Sequence, residues 1–379
     1  MKRFAKVICA AMAAAMCGSV FSGCKQENTQ FFIGGTGPLT GDASSYGISV
    51  QNGASLAVAE INEAGGLNGY TFKFEMKDDQ AQATPAVNGY DALYESGMQV
   101  SLGSVTSGSC EAFANVAKED NMFYMTPSAS SAKAIEPENG YRICFGDPDQ
   151  GMISADTLAE EGYTAIGVIY DSRDSYSSGI YSAFAEQIAT KAGVTVTVRT
   201  FTSGTNTNFN QQVSDLKAAG CEVVFLPIYY TQANLIIREA ATQNWQPAFF
   251  GCDGLDGLKA LLEEGDFIDG VTSSISYMTP FTADSTDERT AAFVSAYREA
   301  YGTAPDQFAA DGYDAVYVIY EAMKKANVSD VNISPSDLCE ILKATISADD
   351  FSFSGVTGKN ITWNAAGEPE KDPFIVALN

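Results

Sequence analysis

Two short loops rich in small hydroxyl side chains stand where an anion can be bound. Residues 103–109 (GSVTSGS) follow the end of one predicted strand and lead into a helical segment, and residues 126–131 (TPSASS) follow the next strand. Backbone N–H groups at the start of a helix, helped by a hydroxyl such as that of Ser107, bind a carboxylate or a phosphate. An ordinary capping turn is the alternative for each loop. If the loops meet, they form a single anion site.

Acidic and aromatic side chains follow the ends of later predicted strands. Asp171 and residues 175–177 (SYS) come after one strand, residues 229–230 (YY) after another, and residues 252–254 (CDG) after a third. Taken singly, such residues are usually solvated loop acids or half-buried tyrosines. Ligands of open parallel sheets bind beyond the carboxyl ends of the strands, so the shared position predicts that these side chains face the hydroxyl loops.

The composition excludes several classes of function. The 379-residue chain has no histidine, so the commonest general base and the commonest metal ligand are both missing. With 22 Lys and Arg against 47 Asp and Glu, its net charge is −25, and such a surface repels phosphate backbones. We therefore expect no nucleic-acid partner, no metal and no cofactor.

The N-terminal segment is typical of a lipoprotein signal. Lys2, Arg3 and Lys6 precede an apolar run over residues 7–20, and two small residues stand directly before Cys24. The run is shorter than the ~20 residues that span a bilayer, which argues against a transmembrane anchor. We expect residues 1–23 to be the signal peptide and residues 24–30 a tether lipidated at Cys24. The processed chain, with net charge −28, is then anchored outside the cytoplasm, on the periplasmic or the outer face of the membrane.

Five further cysteines stand at positions 110, 144, 221, 252 and 339. An odd number cannot all pair within one chain, so at least one is free, and which of the others pair stays open. None of their spacings is that of a zinc or iron-sulfur site. Most are expected to be small buried hydrophobic residues.

Alternating strands and helices must position these loops. Apolar patterns predict helices between most of the strand-like segments, which are residues 31–33, 72–76, 99–102, 122–125, 165–170, 194–200, 222–226, 248–250 and 271–275. This alternation predicts parallel sheets covered by helices on both faces. Near the C-terminus, two helices over 287–326 and a third over 336–344 precede strand-like pieces at 361–363 and 374–378. The length predicts two domains, and the absence of a linker suggests that they are interleaved.

A set of motifs spread over nearly the whole chain resembles one family. The chain is similar to periplasmic binding proteins of the branched-chain amino-acid (Leu/Ile/Val) type, the extracytoplasmic receptors of ABC importers. The motifs that carry the resemblance are Gly37-Pro38-Leu39-Thr40-Gly41, Tyr46-Gly47, Glu60-Ile61-Asn62, Gly65-Gly66, Asp78-Asp79, Thr126-Pro127-Ser128, Asp147-Pro148-Asp149-Gln150-Gly151 and Thr362-Trp363. Their order along the chain is specific, although each is weak alone.

The resemblance implies the type I periplasmic-binding-protein fold, an α/β architecture of two doubly wound parallel-sheet lobes that clamp a ligand. It places residues 31–148 and 277–354 in the first lobe and residues 149–276 and 355–379 in the second. Three crossings join the lobes, near residues 147–149, 276–279 and 354–358. The family's first-lobe disulfide is not evident, because Thr106 matches one of its cysteine positions and the other is missing.

The resemblance also implies a ligand site. Loops matched by Ser107, and by Ser128 and Ser130, hold the α-carboxylate of the ligand and part of its ammonium group. Asp253 matches a glutamate that binds the ammonium, with a side chain one methylene shorter. The remaining expected ligand-binding residues are aromatic, with Tyr46 where the side-chain pocket begins and Tyr176 and Tyr229 in the closing lobe.

The favoured function is therefore capture of a free amino acid without catalysis. A branched-chain or other apolar amino acid fits the aromatic residues, while several relatives take amides, urea or small acids. The expected partners are ABC permease subunits, and the protein is expected to be a monomer. A sensor that reports the ligand to a membrane receptor, without transport, is not separable from an importer subunit by sequence.

An exported serine hydrolase is the alternative from another class. A serine nucleophile needs a base, and without histidine only a lysine or a carboxylate is left. Ser214 and Lys217 have the Ser-x-x-Lys spacing, but on a predicted amphipathic helix and not at a strand end. This weighs against an enzyme.

Overall fold

The computed structural model describes residues 29–203, 208–263 and 274–378. Its first sheet has five parallel strands in the order β2-β1-β3-β4-β5. They are β1 (Gln30–Gly37), β2 (Thr71–Asp78), β3 (Val100–Ser104), β4 (Tyr124–Thr126) and β5 (Gly140–Arg142). Strand β1 is almost fully buried, as expected of a central strand covered on both faces.

The second sheet has six strands in the order β11-β10-β9-β8-β6-β7. All neighbours are parallel except the edge strand β11, which runs antiparallel to β10. The strands are β6 (Ala165–Asp171), β7 (Thr195–Phe201), β8 (Val223–Leu226), β9 (Ala248–Gly251), β10 (Ile275–Thr279) and β11 (Phe374–Ala377). The predicted α/β class with two parallel sheets is confirmed.

Eleven α-helices cover the sheets within the described residues. They are α1 (Ser44–Glu63), α2 (Ala83–Glu95), α3 (Ser107–Glu119), α4 (Asp147–Glu160), α5 (Ser175–Ile188), α6 (Asn210–Ala218), α7 (Tyr230–Thr242), α8 (Leu258–Glu263), α9 (Glu288–Tyr301), α10 (Gln307–Lys325) and α11 (Pro335–Ile346). None of these helices is both long enough and apolar enough to cross a membrane. The helices predicted within 287–326 and 336–344 are α9, α10 and α11.

The strand prediction differs from the structure at three places. The sequence pattern missed β5, because three residues are too few to show a period of two. The strand predicted at 271–275 begins instead at Ile275, and residues 271–273 lie outside the described ranges. The piece predicted at 361–363 forms isolated bridges, Ile361 with Phe353 and Trp363 with Pro369.

The first sheet is covered on one face by α1 and α10, which pack closely together. Ala54, Ala57, Val58 and Ile61 of α1 are buried at helical spacing against that sheet. We call the first sheet with α1–α3 and α9–α11 the first lobe, and the second sheet with α4–α8 the second lobe. Tyr46 and Phe308 of the first lobe share a core cluster with residues of the second lobe, so the two lobes are in contact.

The chain passes between the lobes at residues 143–146, 280–287 and 370–373, which differs from the predicted crossings. Tyr277 and Met278, predicted for the first lobe, belong to β10 of the second sheet. Ile361 and Trp363, predicted for the second lobe, are buried in the core of the first. The crossing expected at 354–358 lies elsewhere because Asp314 of α10 accepts hydrogen bonds from the N–H groups of residues 356 and 357 and holds them in the first lobe.

Candidate ligand-binding cleft

A very narrow cavity of about 10 Å³ lies between the lobes, at the carboxyl ends of strands from both sheets. It is lined by Tyr46, Val105, Thr106, Ser107, Ser128, Tyr176, Tyr229, Asp253, Gly254 and Phe308. Six of the seven predicted ligand-binding residues are therefore brought together. This volume is far below the ~300–1,000 Å³ usual for ligand pockets, so the lobes are drawn tightly together and must separate for a ligand to enter.

Hydroxyl groups of the first lobe form one wall of the cavity. The loop after β3 leads directly into α3, with Thr106 at the cap position and Ser107 as the first helical residue. The hydroxyl of Ser107 accepts the N–H of Ser131 at 3.2 Å, which joins the two predicted loops. The hydroxyl of Thr106, which lines the cavity, is buried and has no hydrogen-bond partner, so this wall offers a polar group to a ligand.

Ser130 does not line the cavity, in contrast to the expectation that it lies with Ser128. Its carbonyl oxygen accepts the N–H of Asp147 at 2.9 Å and a guanidinium N–H of Arg142. Arg142 is completely buried and pairs with Glu368 at 2.8 Å. Ser130 therefore lies where the chain crosses between the lobes, because its backbone is needed there as an acceptor.

Asp253 lies on the wall contributed by the second lobe, directly after β9 in a short 3₁₀ helix (Asp253–Leu255). Its carboxylate accepts the hydroxyl of Tyr176 at 2.7 Å. Its backbone is held from both lobes, since its N–H donates to Gln150 at 3.2 Å and its carbonyl oxygen accepts the side-chain amide of Gln307 at 2.9 Å. Burial raises the pKa of Asp253 to about 6, and the Tyr176 hydroxyl opposes that rise.

Aromatic rings form the remaining wall. Tyr176 and Tyr229 stack with their centroids 5.1 Å apart, and Tyr46 meets Tyr229 edge-on at 5.7 Å. Phe308 packs against Tyr46 at 4.3 Å. Sequence reasoning missed Phe308, because it follows no strand and its place is set by the start of α10.

Direct hydrogen bonds between the lobes hold this closed arrangement. Tyr46 donates its hydroxyl to the carbonyl oxygen of Gly254 at 2.6 Å and accepts the N–H of Tyr230 at 3.2 Å. Farther out, Thr231 donates to the carbonyl oxygen of Asp42 at 2.7 Å. Tyr46 is thus both part of the cavity wall and a bridge between the lobes.

The polar groups that line the cavity are hydroxyls and one carboxylate. Among the described residues that line it, none is Lys or Arg, and its one carboxylate is engaged by Tyr176. The alternative pair is unsuited as well, because Ser214 and Lys217 are exposed on α6 and the lysine donates to the carbonyl oxygen of Gln243.

The cysteines of the described residues are separate from this chemistry. Cys110, Cys144, Cys221, Cys252 and Cys339 are all free and buried, as small hydrophobic residues are. The predicted lipidation site, Cys24, lies outside the described residues.

The sequence as a whole matches the model of one family, described as periplasmic binding protein, over residues 30–379. It is 26% identical over 345 residues to the Leucine-, isoleucine-, valine-, threonine-, and alanine-binding protein of Pseudomonas aeruginosa, covering 90% of this chain and 87% of that protein.

Solved structures show the same fold. The branched-chain amino acid transporter substrate binding protein LivJ of Streptococcus pneumoniae, in complex with isoleucine, is 25% identical, with a TM-score of 0.77 over 92% of this chain and 99% of that one. A solute binding protein of an ABC transporter from R. palustris, in complex with benzoate, is 21% identical, with a TM-score of 0.80 over 92% and 93%. Proteins of this fold therefore hold chemically different ligands.

Proposed function

The chain belongs to the periplasmic binding protein family, and from that premise we propose that it captures a free amino acid between its two lobes and delivers it to an ABC importer. The family consists of solute-binding proteins that work outside the cytoplasm. Capture needs no catalysis: binding energy closes the lobes, and closure removes water from the polar contacts and strengthens them.

One observation carries this proposal: Asp253 of the second lobe shares a cavity with the hydroxyl loops of Ser107 and Ser128 in the first lobe. A zwitterion buried between the lobes needs both of its charges matched, because an unpaired buried ion costs several kcal/mol. The start of α3 supplies N–H groups for a carboxylate, and Asp253 supplies the counter-charge for an ammonium.

The aromatic wall supports an apolar side chain on the ligand. Tyr46, Tyr229 and Phe308 bring ring faces and edges to the cavity and leave few polar groups there. A branched-chain amino acid buries its methyl groups against such rings, at about 0.8 kcal/mol for each CH₂ removed from water. Leucine, isoleucine and valine are therefore the first ligands to test.

To deliver its ligand, the protein must be held at the membrane next to the importer. We propose that lipidation of Cys24 attaches it there. A diacylated N-terminus holds a protein at a membrane where a single chain would hold it only marginally. We propose that the protein acts there as a monomer, in contact with permease subunits. A chromosomal neighbourhood with permease and ATPase genes would support import, and its absence would favour a sensor.

A thermal-shift screen on the chain without residues 1–23 tests the ligand class. We expect a raised unfolding temperature with one or more apolar members of the twenty amino acids, because a ligand that binds only the folded state stabilises it. Urea, simple amides and benzoate complete the screen. A shift with one of these alone would replace the amino-acid proposal with the amide, urea or small-carboxylate alternative.

Asp253→Ala serves as the matched control in the same screen. Amino acids that use the predicted counter-ion should lose their shift in this variant, whereas benzoate, which has no ammonium group, should not depend on it. If no compound of the screen shifts the wild-type chain, the proposed function is wrong.

A further inference from the structure

Two carboxyl groups from opposite lobes come together at the seam beside the cavity. Asp256 follows the 3₁₀ helix of the second lobe, and Asp306 caps the start of α10 in the first lobe. The N–H of Gln307, the residue after Asp306, donates to Asp256 Oδ2 at 3.0 Å. This bond crosses the seam, so the two acids approach each other only when the lobes are closed.

Both carboxylates are hydrogen-bonded, but neither meets a cation. Asp256 Oδ1 also accepts the N–H of Gly257 at 2.9 Å, and Asp306 accepts the N–H of Ala309 at 2.9 Å and the hydroxyl of Ser49 at 2.6 Å. None of the ion pairs within the described ranges includes Asp256 or Asp306. The other titratable groups that act on the pair are all acids or phenols, namely Tyr46, Asp253, Tyr277 and Tyr297.

Opening and closing therefore change the surroundings of both acids. In an open cleft each carboxylate is hydrated and far from the other, whereas the closed seam half-buries both and sets like charges side by side. We propose that closure of the cleft takes up a proton on the Asp256–Asp306 pair, so that ligand affinity falls as the pH rises. This inference rests on the proposed function, because it concerns the closure that the ligand drives.

The electrostatics of the closed state agree with this geometry. Burial raises the pKa of both carboxyls, and the charge of Asp256 is the second cause that raises the pKa of Asp306, to about 7. Closure is therefore most favourable below pH ~4, the ordinary carboxyl pKa, because there the carboxyls are protonated in the open and in the closed state alike. As the pH rises toward 7, affinity should fall by up to about tenfold per pH unit, and above 7 it should level off.

Titration calorimetry tests the proposal with leucine as the probe, at pH 5.5 and 8.5 and in two buffers of different ionisation enthalpy. We expect uptake of about one more proton per leucine bound at pH 5.5 than at pH 8.5. In Asp306→Asn this difference should shrink by more than half, and affinity should depend less on pH. Asn also caps helices well, so the start of α10 is retained.

Asp91→Asn is the matched control, because Asp91 is an exposed acid on α2 of the first lobe and should keep the wild-type uptake. The proposal is overturned if wild type takes up no proton at pH 5.5, or if Asp306→Asn takes up as many as wild type. A second variant, Asp256→Asn, should behave like Asp306→Asn.

The result separates this proposal from the proposed function. If neither leucine nor any other amino acid gives a heat of binding, the proposed function fails. Small-angle scattering of the unliganded chain then tests whether closure takes up a proton. A smaller radius of gyration at pH 5.5 than at pH 8.5, present in wild type and absent in Asp306→Asn, supports the proposal. Equal radii at both pH values in wild type overturn it.

Discussion

Asp253 carries a buried carboxyl group whose charge is costly until a cation reaches it. The residue is 4% exposed, and burial raises its pKa from the ordinary 3.8 to about 6. At about 1.36 kcal/mol per pKa unit, its charged form is disfavoured in the folded chain by about 3 kcal/mol. The penalty is absent below pH ~4 and complete above pH ~6, so at neutral pH a ligand ammonium would relieve it.

We expect Asp253→Ala to weaken binding of the best amino acid from the screen by roughly 2–5 kcal/mol, the scale for removing one partner of a buried charge pair. Its unfolding temperature without ligand should be no lower than that of wild type at neutral pH, because the substitution also removes a costly charge. Calorimetry and thermal unfolding measure the two effects. Affinity within threefold of wild type, together with lower stability, would instead show that Asp253 only stabilises its own turn.

Helices α1 and α10 pack closely because glycines stand at their contact. A Cβ atom at Gly53 of α1 would overlap the carbonyl of Ala309 in α10, and one at Gly312 of α10 would lie 2.7 Å from the carbonyl oxygen of Val50. This contact sets the position of the first turn of α10, which carries Asp306, Gln307 and Phe308. A helix–helix contact outside the cavity thus determines part of the cavity wall.

Gly53→Ala should lower the free energy of unfolding by about 1–3 kcal/mol, the usual result of adding a methyl group where no space exists. Gly108→Ala is the matched control, because it also lies in a helix but its Cβ would meet no atom within 4 Å. Denaturant unfolding of both variants checks this. Equal stability of Gly53→Ala and wild type would mean that α1 and α10 can separate freely.

The molecule as a whole is in a closed state, with the cavity wall and the bonds between the lobes formed by the same residues. Tyr46 lines the cavity and also makes two hydrogen bonds to the backbone of the second lobe. A ligand that contacts this wall binds the closed state more tightly than the open state. It therefore shifts the equilibrium between the two states toward closure. The segments between the lobes, residues 143–146, 280–287 and 370–373, are where backbone rotation is expected.

We expect small-angle scattering to give a smaller radius of gyration with a saturating ligand than without it. In Tyr46→Phe the ring remains but both hydrogen bonds to the second lobe are lost, so affinity should fall by about 5- to 30-fold. Scattering and calorimetry on both proteins measure this. An unchanged radius in wild type would argue for a rigid, preformed cleft.

Anchoring is a property of the whole chain that depends on one thiol. Replacing Cys24 with Ser removes the predicted acylation site and should leave uncleaved precursor or release the protein into the medium. Mass spectrometry and membrane fractionation follow the outcome. Wild-type mass and wild-type fractionation of the variant would exclude lipidation at this position.

The sequence by itself determined the two-sheet α/β architecture and most of the cavity lining. Periods of two and 3.6 residues are local properties that a chain shows before it folds, and strand ends meet at one edge in any parallel sheet. For this reason Ser107, Ser128, Tyr176, Tyr229 and Asp253 were expected together. The family resemblance added Tyr46, and all six line one cavity.

Only the tertiary structure decided the features that depend on how the lobes are joined and rotated. Ser130 lies at a crossing because Arg142 and Asp147 both bond its carbonyl oxygen, and Phe308 reaches the cavity because of how α10 packs on α1. Asp256 and Asp306 come close together because the closed lobes place the start of α10 against the second lobe. Contacts between residues far apart in the chain depend on the closed arrangement of complete lobes, and no local pattern encodes that arrangement.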